Sequence, residues 1–572
     1  MKPIFFILFM CLLSMQIVAQ TIDNSQIEKT IDAIFKPLHR DESPGVAVTV
    51  LQNGEIITRK KYGFANLEHS IPFTHQSPVR LIYSMGREFM SAGLAVMEAE
   101  GLLRFDDKVR SYLPKLPEWS KNVTIQDLLN HSSGFDDEWS LLLLMHADMR
   151  NRIDKEQMLT LLYNQPKPQV QPGEGYMYCN TDYALLRMIA EMASKQNLAV
   201  YLKNKLFAPL GMSATFMNDD IEAVIPGFAE SYYGNGPFRK ARFYKTSPGG
   251  NYRIVTTAND LEKWALAAAD SSSVLAKAFE RLYQDARSFP VMAPEQHYTF
   301  GHEWRKRDTL SYVFHGGVDD GFYMVRIPSQ GIAVIALGNS SNSIAGLLQL
   351  TDSLLPPKPA PSAERPLFPE TAVVLPNSEL KKYAGRYFEH NVKGYNSHVS
   401  RIVYYDIKAE GDSLQFYYQP GASFHLTAFG NGLFKDMEED VPIIFSGLNP
   451  DSTMQFKVWL PNGEVKVYRQ HKNNLKINKP QLQQFVGKYY SPHLDYYFRV
   501  VLDEKDQLIV KRPTLSDVKL EPYGENSFLL QADTGGYFVY TVITFTRNKK
   551  GQVDGFDVRY SRLMHHRFDK VN

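Results

Sequence analysis

Three short motifs carry the side chains that can do chemistry in this chain. Ser84 lies in Tyr83-Ser84-Met85-Gly86-Arg87. It opens an apolar pattern, Met85, Phe89, Gly93 and Met97, whose spacing predicts a helix ending at Gly101. A serine at the N-terminal edge of a helix faces unpaired amide donors and the positive end of the dipole, so charge developing on its oxygen is favoured. The same place also suits a plain helix cap. Arg87, three residues on, shares the helix face of Ser84.

The second motif is Tyr178-Cys179-Asn180, after the turn Pro172-Gly173-Glu174-Gly175 and before a helical pattern. A phenol can act as a general acid or base beside a cation, and an amide can orient a nucleophile or a substrate. Asn180 as a helix cap is the competing reading. The third is His315-Gly316-Gly317-Val318, where paired glycines let a substrate lie against a strand edge. A backbone N–H there can join that of Ser84 in an oxyanion hole, or the glycines are simply a turn. Asp319-Asp320 follows, as a site for a cationic group or a solvated turn.

Other chemistry has little support. His302-Glu303 lacks the second histidine of a zinc-protease helix, His565-His566 stands alone near the C-terminus, and no glycine-rich phosphate loop occurs. The expectation is no metal and no organic cofactor.

These motifs need a scaffold. Gly45 to Leu51 is β-branched and apolar, Asn53-Gly54 is a type I′ turn signal, and Ile56-Ile57-Thr58 resumes the pattern. Gly321 to Arg326 and Gly331 to Leu337 form a second hairpin around Pro328-Ser329-Gln330. Between the hairpins the periodicity is mostly helical, as in Tyr183 to Ala190. Strands at both ends with helices between predict an α+β domain, one antiparallel sheet joining its first and last strands and flanked by helices. Pro356, Pro357, Pro359, Pro361, Pro366 and Pro369 then read as a stiff linker over 356–370. Beyond it Leu380-Lys381-Lys382-Tyr383-Ala384-Gly385-Arg386-Tyr387 is echoed by Leu482-Gln483-Gln484-Phe485-Val486-Gly487-Lys488-Tyr489. Leu414, Leu426 and Phe434 are echoed by Leu508, Leu520 and Phe528. This predicts a duplicated all-β domain of barrel or sandwich type, 371–473 and 474–572, with no catalytic constellation of its own.

Taken together, the order Ser-x-x-Lys-like motif, Tyr-x-Asn, His-x-Gly resembles the family of class C β-lactamases, penicillin-binding proteins and D-aminopeptidases. Leu128-Leu129-Asn130-His131-Ser132-Ser133-Gly134, Leu206 to Met212 before Thr215, Thr256 to Leu261 and Gly338-Asn339-Ser340 fit the same family. The resemblance covers roughly residues 25 to 352. It implies a β-lactamase-like catalytic domain, 20–355, followed by two barrel-like repeats, an arrangement similar to the D-aminopeptidase branch. It further implies that Ser84 is the nucleophile, Tyr178 the acid/base and Asn180 the orienting amide. His315 takes the place of the lysine in the family's Lys-Thr-Gly variant and lines the substrate strand with Gly317. The N–H groups of Ser84 and Val318 would form the oxyanion hole, and His131 is read as a structural loop residue. Small peptides, esters or cell-wall-derived molecules are the implied substrates.

One departure matters. Arg87 stands where the family has lysine, and arginine effectively never loses its proton, so it cannot be the base for Ser84. Either Arg87 supports a Tyr178 that alone moves the proton, or the pocket is that of a pseudoenzyme in which Arg87 binds a carboxylate. A structural or adhesive role for the β domains is the third reading.

The bulk composition agrees with a large folded protein. Hydrophobic residues make up 44% and charged residues 22% of the 572, and the net charge is +1, which gives no global field towards nucleic acid or anionic membranes. Met1-Lys2, the apolar run Ile4 to Leu13 and Ile17-Val18-Ala19 read as a cleaved signal peptide over 1–19. The run is short of the ~20 residues of a spanning helix, so no stable membrane insertion follows cleavage and a periplasmic or secreted protein is expected. Loss of Cys11 would leave Cys179 alone, so packing rather than disulfides must hold the fold. Nothing in the sequence sets an oligomeric state.

Overall fold

The computed structural model describes residues 23–571, apart from 40–41, 82, 146–154, 221–222, 235–236, 242–253, 285–288, 291–295, 317–322, 341, 358–365, 390–403, 418–422, 438–440, 448–453, 460–464, 472–476, 512–516, 533–538 and 561. The signal segment and much of the proline-rich stretch thus lie outside the described residues. Among the described residues, no helix is long and apolar enough to cross a membrane.

Helix α1 (Asn24–Leu38) is capped by Asp23, whose carboxylate accepts from the N–H groups of Ser25 and Gln26. Strands β1 (Val46–Gln52) and β2 (Glu55–Tyr62) follow. Asn53 and Gly54 both take positive φ, 52° and 80°, as a type I′ turn requires. The helices α2 (Arg87–Ala99), α3 (Glu138–Leu144), α4 (Asn180–Ser194), α5 (Ala258–Ala269) and α6 (Val274–Gln284) come next. Strands β3 (Phe289–Pro290), β4 (Gln296–Thr299), β5 (His302–Arg307), β6 (Leu310–Gly316), β7 (Tyr323–Ile327) and β8 (Ile332–Gly338) lead to α7 (Asn342–Leu354). The sheet runs β3-β4-β5-β6-β7-β8-β1-β2 and is antiparallel throughout. β8 lies beside β1 with Val46 opposite Gly338, so the first and last strands are neighbours as the sequence predicts.

Period-two burial splits the core into two layers. Val46, Val48 and Val50 pack with Ile27, Ile31 and Phe35 of α1 and with Leu347 and Leu350 of α7. Ala47, Leu51, Ile335 and Leu337 face the opposite way, towards α2, α4, α5 and α6. Across that second layer Glu88 accepts from Trp264 Nε1 at 2.7 Å and pairs with Arg326 of β7, which ties α2 to the sheet. Burial, the largest single influence, would raise the Glu88 pKa, but the Arg326 charge together with His302 and the Trp264 hydrogen bond outweighs it and holds the carboxyl well below the usual range.

The repeats close into two eight-stranded barrels. The first runs from β9 (Gly385–Glu389) to β16 (Val465–His471), the second from β17 (Gly487–Ser491) to β24 (Leu563–Val571), with β23 spanning Val553–Tyr560. The duplication repeats even single bonds. Tyr387 donates to the Tyr383 carbonyl at 2.9 Å, and Tyr489 donates to that of Phe485 at 2.7 Å. Leu414 and Leu508, like Phe434 and Phe528, are buried at matching places.

The second barrel is not a pendant module. Leu141, Leu142, Leu143 and Leu144 of α3 belong to its core, alongside Phe485, Phe498 and Leu563. Each buried leucine contributes about 1.5–3 kcal/mol relative to exposure, so α3 is a substantial apolar clamp.

Candidate active site

Ser84 sits in a 3₁₀ turn, Tyr83–Gly86, that runs straight into α2. The residue preceding α2 is Gly86, which makes no side-chain cap, so Ser84 is not the cap that its position suggests. Its hydroxyl instead accepts a short hydrogen bond from Tyr178 Oη. Tyr178 ends the loop before α4 and is itself buried. Nucleophile and phenol, distant in sequence, are thus in direct contact.

Arg87, the first residue of α2, is fully buried. Its Nη1 bonds His131 Nε2 at 2.9 Å, its Nη2 donates to Asn180 Oδ1 at 2.6 Å, and its Cζ lies 4.0 Å from the Tyr178 ring centroid. The Tyr183 ring is 4.8 Å away. Burying a cation costs several kcal/mol. Two charge-assisted bonds at ~1.5–3 kcal/mol each and desolvated ring contacts at up to ~2 kcal/mol are of the size needed to offset it. The fork geometry explains the arginine: one planar group reaches two acceptors and a ring face, which an ammonium cannot do. Gly301, at φ +81°, lies so close that a Cβ there would come within 2.9 Å of the Arg87 carbonyl.

His131 is more than a loop residue. It accepts from Arg87 at Nε2, so its proton is on Nδ1, facing Asp182 Oδ2 at 2.9 Å. Its ring centroid is 4.4 Å from that of Tyr178 and 4.8 Å from that of Tyr298. His131 also holds a left-handed φ of 55°, unusual for a residue with a side chain. Asp182 is fully buried and its pKa is pushed well up by that burial, against the Ser133 hydrogen bond and the Arg87 charge. Behind Arg87 there is therefore a hydrogen-bonded stack, Asn180–Arg87–His131–Asp182–Ser133.

Asn180 is the first residue of α4 and not its cap, a place held by Cys179 without a side-chain bond. The Asn180 N–H goes to Asp137 Oδ2 at 2.7 Å. Burial pushes the Cys179 thiol well up, so this residue is an inert core group.

Asp137 also receives Arg562 Nη1 at 3.3 Å. Arg562 stands between β23 and β24 of the second barrel, and its Cζ lies 4.7 Å from the Tyr178 ring centroid. The phenol therefore has a guanidinium from each of two domains against its ring. Next to Asp137, Glu138 is pushed up to about 8 by burial and then by the Asp137 charge.

His315 and Gly316 close β6, opposite Met324 and Tyr323 of β7, and β6 packs against the Ser84 turn. Gly317, Val318 and Asp319-Asp320 lie outside the described residues. The structure thus brings Ser84, Arg87, Tyr178 and Asn180 together and sets the β6 strand beside them.

Sequence reasoning missed Arg562, Asp182 and Tyr298 and underread His131. For Arg562 a signal existed. In sequence, the stretch between the last two strands of the first repeat contains the turn formers Pro461-Asn462-Gly463, whereas the corresponding stretch of the second is Ser561-Arg562, a long cation where a turn former would serve. For His131 the signal was the arginine itself, a buried fork that needs acceptors.

The Beta-lactamase family model matches residues 31–353. Penicillin-binding protein 4* of Bacillus subtilis (strain 168) is 29% identical over 187 residues, 33% of this chain and 41% of that protein. A D-aminopeptidase of Brucella anthropi is 32% identical over 200 residues, covering 35% of this chain and 37% of its own length. That of Gluconobacter oxydans (strain 621H) is 25% identical over 341 residues, 57% and 62% of the two chains. The matches therefore span less than two thirds of these relatives. Among solved structures, the octameric penicillin-binding protein homologue from Pyrococcus abyssi superimposes with a TM-score of 0.52 at 20% identity, covering 78% of this chain and all of that one. An antiparallel sheet flanked by helices, with a serine in the 3₁₀ turn that leads into a buried helix, is the architecture of the domain that the family model matches. The chain belongs to the Beta-lactamase family.

Proposed function

We propose that the protein is an exported serine hydrolase that cleaves amides or carboxylic esters of small peptides through a Ser84 acyl-enzyme. The contact between Tyr178 Oη and Ser84 Oγ is the observation that carries this reading. In the proposed reaction Tyr178, deprotonated, takes the Ser84 proton as Oγ attacks the substrate carbonyl carbon. The tetrahedral oxyanion is met by the N–H groups of Ser84 and Val318. The C–N or C–O bond then breaks, and Tyr178 returns the proton to the leaving amine or alcohol. Water attacks the ester and gives its proton to Tyr178, which passes it to the departing Ser84 Oγ as the acyl C–O bond breaks, releasing the acid and leaving Tyr178 deprotonated again. Arg87 and Arg562 offset the negative charge on Tyr178 while it holds no proton.

The pseudoenzyme reading needs Arg87 to bind a ligand carboxylate. Its fork is buried and engaged with His131 and Asn180, which weighs against that role. The names of the relatives suggest peptides with an N-terminal D-residue or cell-wall-derived peptides as substrates, and the Met1 to Ala19 pattern supports a periplasmic or secreted location. Purified protein should be labelled by a fluorophosphonate probe, Ser84→Ala should lose the label, and a panel of D- and L-aminoacyl amides and esters should identify the substrate. Absence of labelling after long incubation would sink the enzyme reading.

A further inference from the structure

Away from Ser84, one cluster of side chains has the composition and arrangement of a metal centre. Asp136 precedes α3, His493 follows β17, and His566 lies on β24. All three are buried, and each offers a ligand atom within 4.8 Å of the other two. They line a cleft of about 480 Å³ between the catalytic domain and the second barrel, which gives an ion a way in.

The details favour ligation over mutual hydrogen bonding. His493 Nδ1 and Asp136 Oδ2 are 3.6 Å apart, too long for a hydrogen bond. Two ligands at ~2.1 Å from one tetrahedral ion stand roughly 3.4 Å apart, so this separation suits a shared metal. Each residue is also held from behind by its own partner. His493 Nε2 faces the Leu161 carbonyl at 2.7 Å, which fixes its proton on Nε2 and leaves the Nδ1 lone pair towards Asp136. One ring nitrogen of His566 is 2.9 Å from Ser491 Oγ, which leaves the other to ligate. Asp136 Oδ1 accepts from Gln169 Nε2, leaving Oδ2 for the ion. Such outer hydrogen bonds are the usual companions of metal-binding imidazoles and carboxylates.

We propose that Asp136, His493 and His566 form a divalent transition-metal site, with water completing the coordination, that joins the catalytic domain to the second barrel. Two imidazoles and one carboxylate select zinc-class ions over magnesium or calcium, which prefer all-oxygen shells. The ion is a fastener with a bearing on the active site. Asp137, adjacent to the ligand Asp136, holds Arg562 and the Asn180 N–H. His566 lies on the strand that Arg562 leads into. Gln169 joins the two sides as well, accepting from the Met564 N–H at 2.8 Å.

The test uses the full-length chain without a polyhistidine tag, stripped with a chelator. Zn²⁺ titrated against a chromophoric chelator should bind one equivalent per chain, Co²⁺ should give ligand-field absorption of a low-coordinate nitrogen–oxygen site, and either ion should raise the melting temperature. His493→Gln and His566→Gln should each abolish stoichiometric binding, Ser491→Ala should weaken it about 10-fold, and His565→Gln should leave it unchanged. A wild-type chain that is folded by circular dichroism yet takes up no stoichiometric Zn²⁺ or Co²⁺ overturns the proposal, whatever the variants do. Binding that survives the double His493→Gln, His566→Gln variant overturns it equally. Neither readout depends on turnover at Ser84, so the metal site and the hydrolase reading stand or fall separately.

Discussion

The guanidinium of Arg562, in the second barrel, lies 4.7 Å from the ring centroid of Tyr178 in the catalytic domain. The contact joins the last tenth of the chain to the phenol beside the nucleophile. It rests on the Arg562–Asp137 ion pair at 3.3 Å, so the arginine is placed from both ends. Arg562→Ala should leave the melting temperature within a few degrees and lower kcat/KM for the best ester by about 10- to 30-fold, the equivalent of a desolvated cation–π contact of up to ~2 kcal/mol. Arg562→Lys should recover part of the loss. Unchanged kinetics in Arg562→Ala would show that the barrel only covers the site.

Tyr178→Phe removes the hydroxyl that meets Ser84 while keeping the ring that stacks with Arg87 and His131. Fluorophosphonate labelling and ester turnover should each slow by about 10²- to 10⁴-fold, the range for losing a general base. Near-normal rates would move the proton-handling role elsewhere.

Arg87→Lys restores the family's residue but not the geometry. An ammonium cannot reach His131 Nε2 and Asn180 Oδ1 at once while lying on the Tyr178 ring. The variant should lose about 2–4 kcal/mol in urea unfolding, from leaving at least one buried acceptor unmet. It should not gain esterase activity. A large gain would mean that arginine restrains turnover in this site.

Glu88 sets an acid limit on stability. Its folded pKa lies below its ordinary value of 4.5 because Arg326, His302 and the Trp264 hydrogen bond together outweigh the cost of burial. A carboxyl with a depressed folded pKa binds fewer protons in the native state. Its stabilising contribution is therefore complete above about pH 5 and drains away as pH falls through the ordinary carboxylate range and below. Urea midpoints should drop steeply from pH 5 to pH 3. Glu88→Gln should be less stable at pH 7 by about 3–5 kcal/mol, as expected on stranding Arg326, and should flatten the acid slope. An equally steep slope in Glu88→Gln would assign the acid sensitivity to other groups.

Much of this was legible in the sequence because it rests on local rules. Asn53-Gly54 announces a type I′ turn, and the Leu380–Tyr387 and Leu482–Tyr489 echo announces the duplication. The meeting of Ser84, Tyr178 and Asn180 was legible only through the resemblance of the three motifs, taken in order, to the class C β-lactamase and penicillin-binding-protein family. What stayed hidden is long-range. Leu141 to Leu144 read as an ordinary short apolar run, because periodicity says which residues are buried and not whose core they enter. His493, His566 and Asp136 lie in three separate segments, and only the packing of a barrel against a loop brings them together. His565-His566 looked isolated because its neighbour in space is a histidine some seventy residues earlier, just beyond the paired strand that closes the barrel. Arg562 stands out in sequence as a cation where a turn former would serve, but that signal does not say which site the residue reaches.

The four leucines of α3 have a practical consequence. A chain stopped at the proline-rich stretch would carry Leu141 to Leu144 as a bare greasy ridge beside the loop that holds Asp137. An expression fragment of that kind invites aggregation, and any activity assay on it would confound a damaged site with a missing barrel. The hydrolase is better treated as a two-part body whose parts are far apart in sequence, with the first barrel threaded between them as an insert.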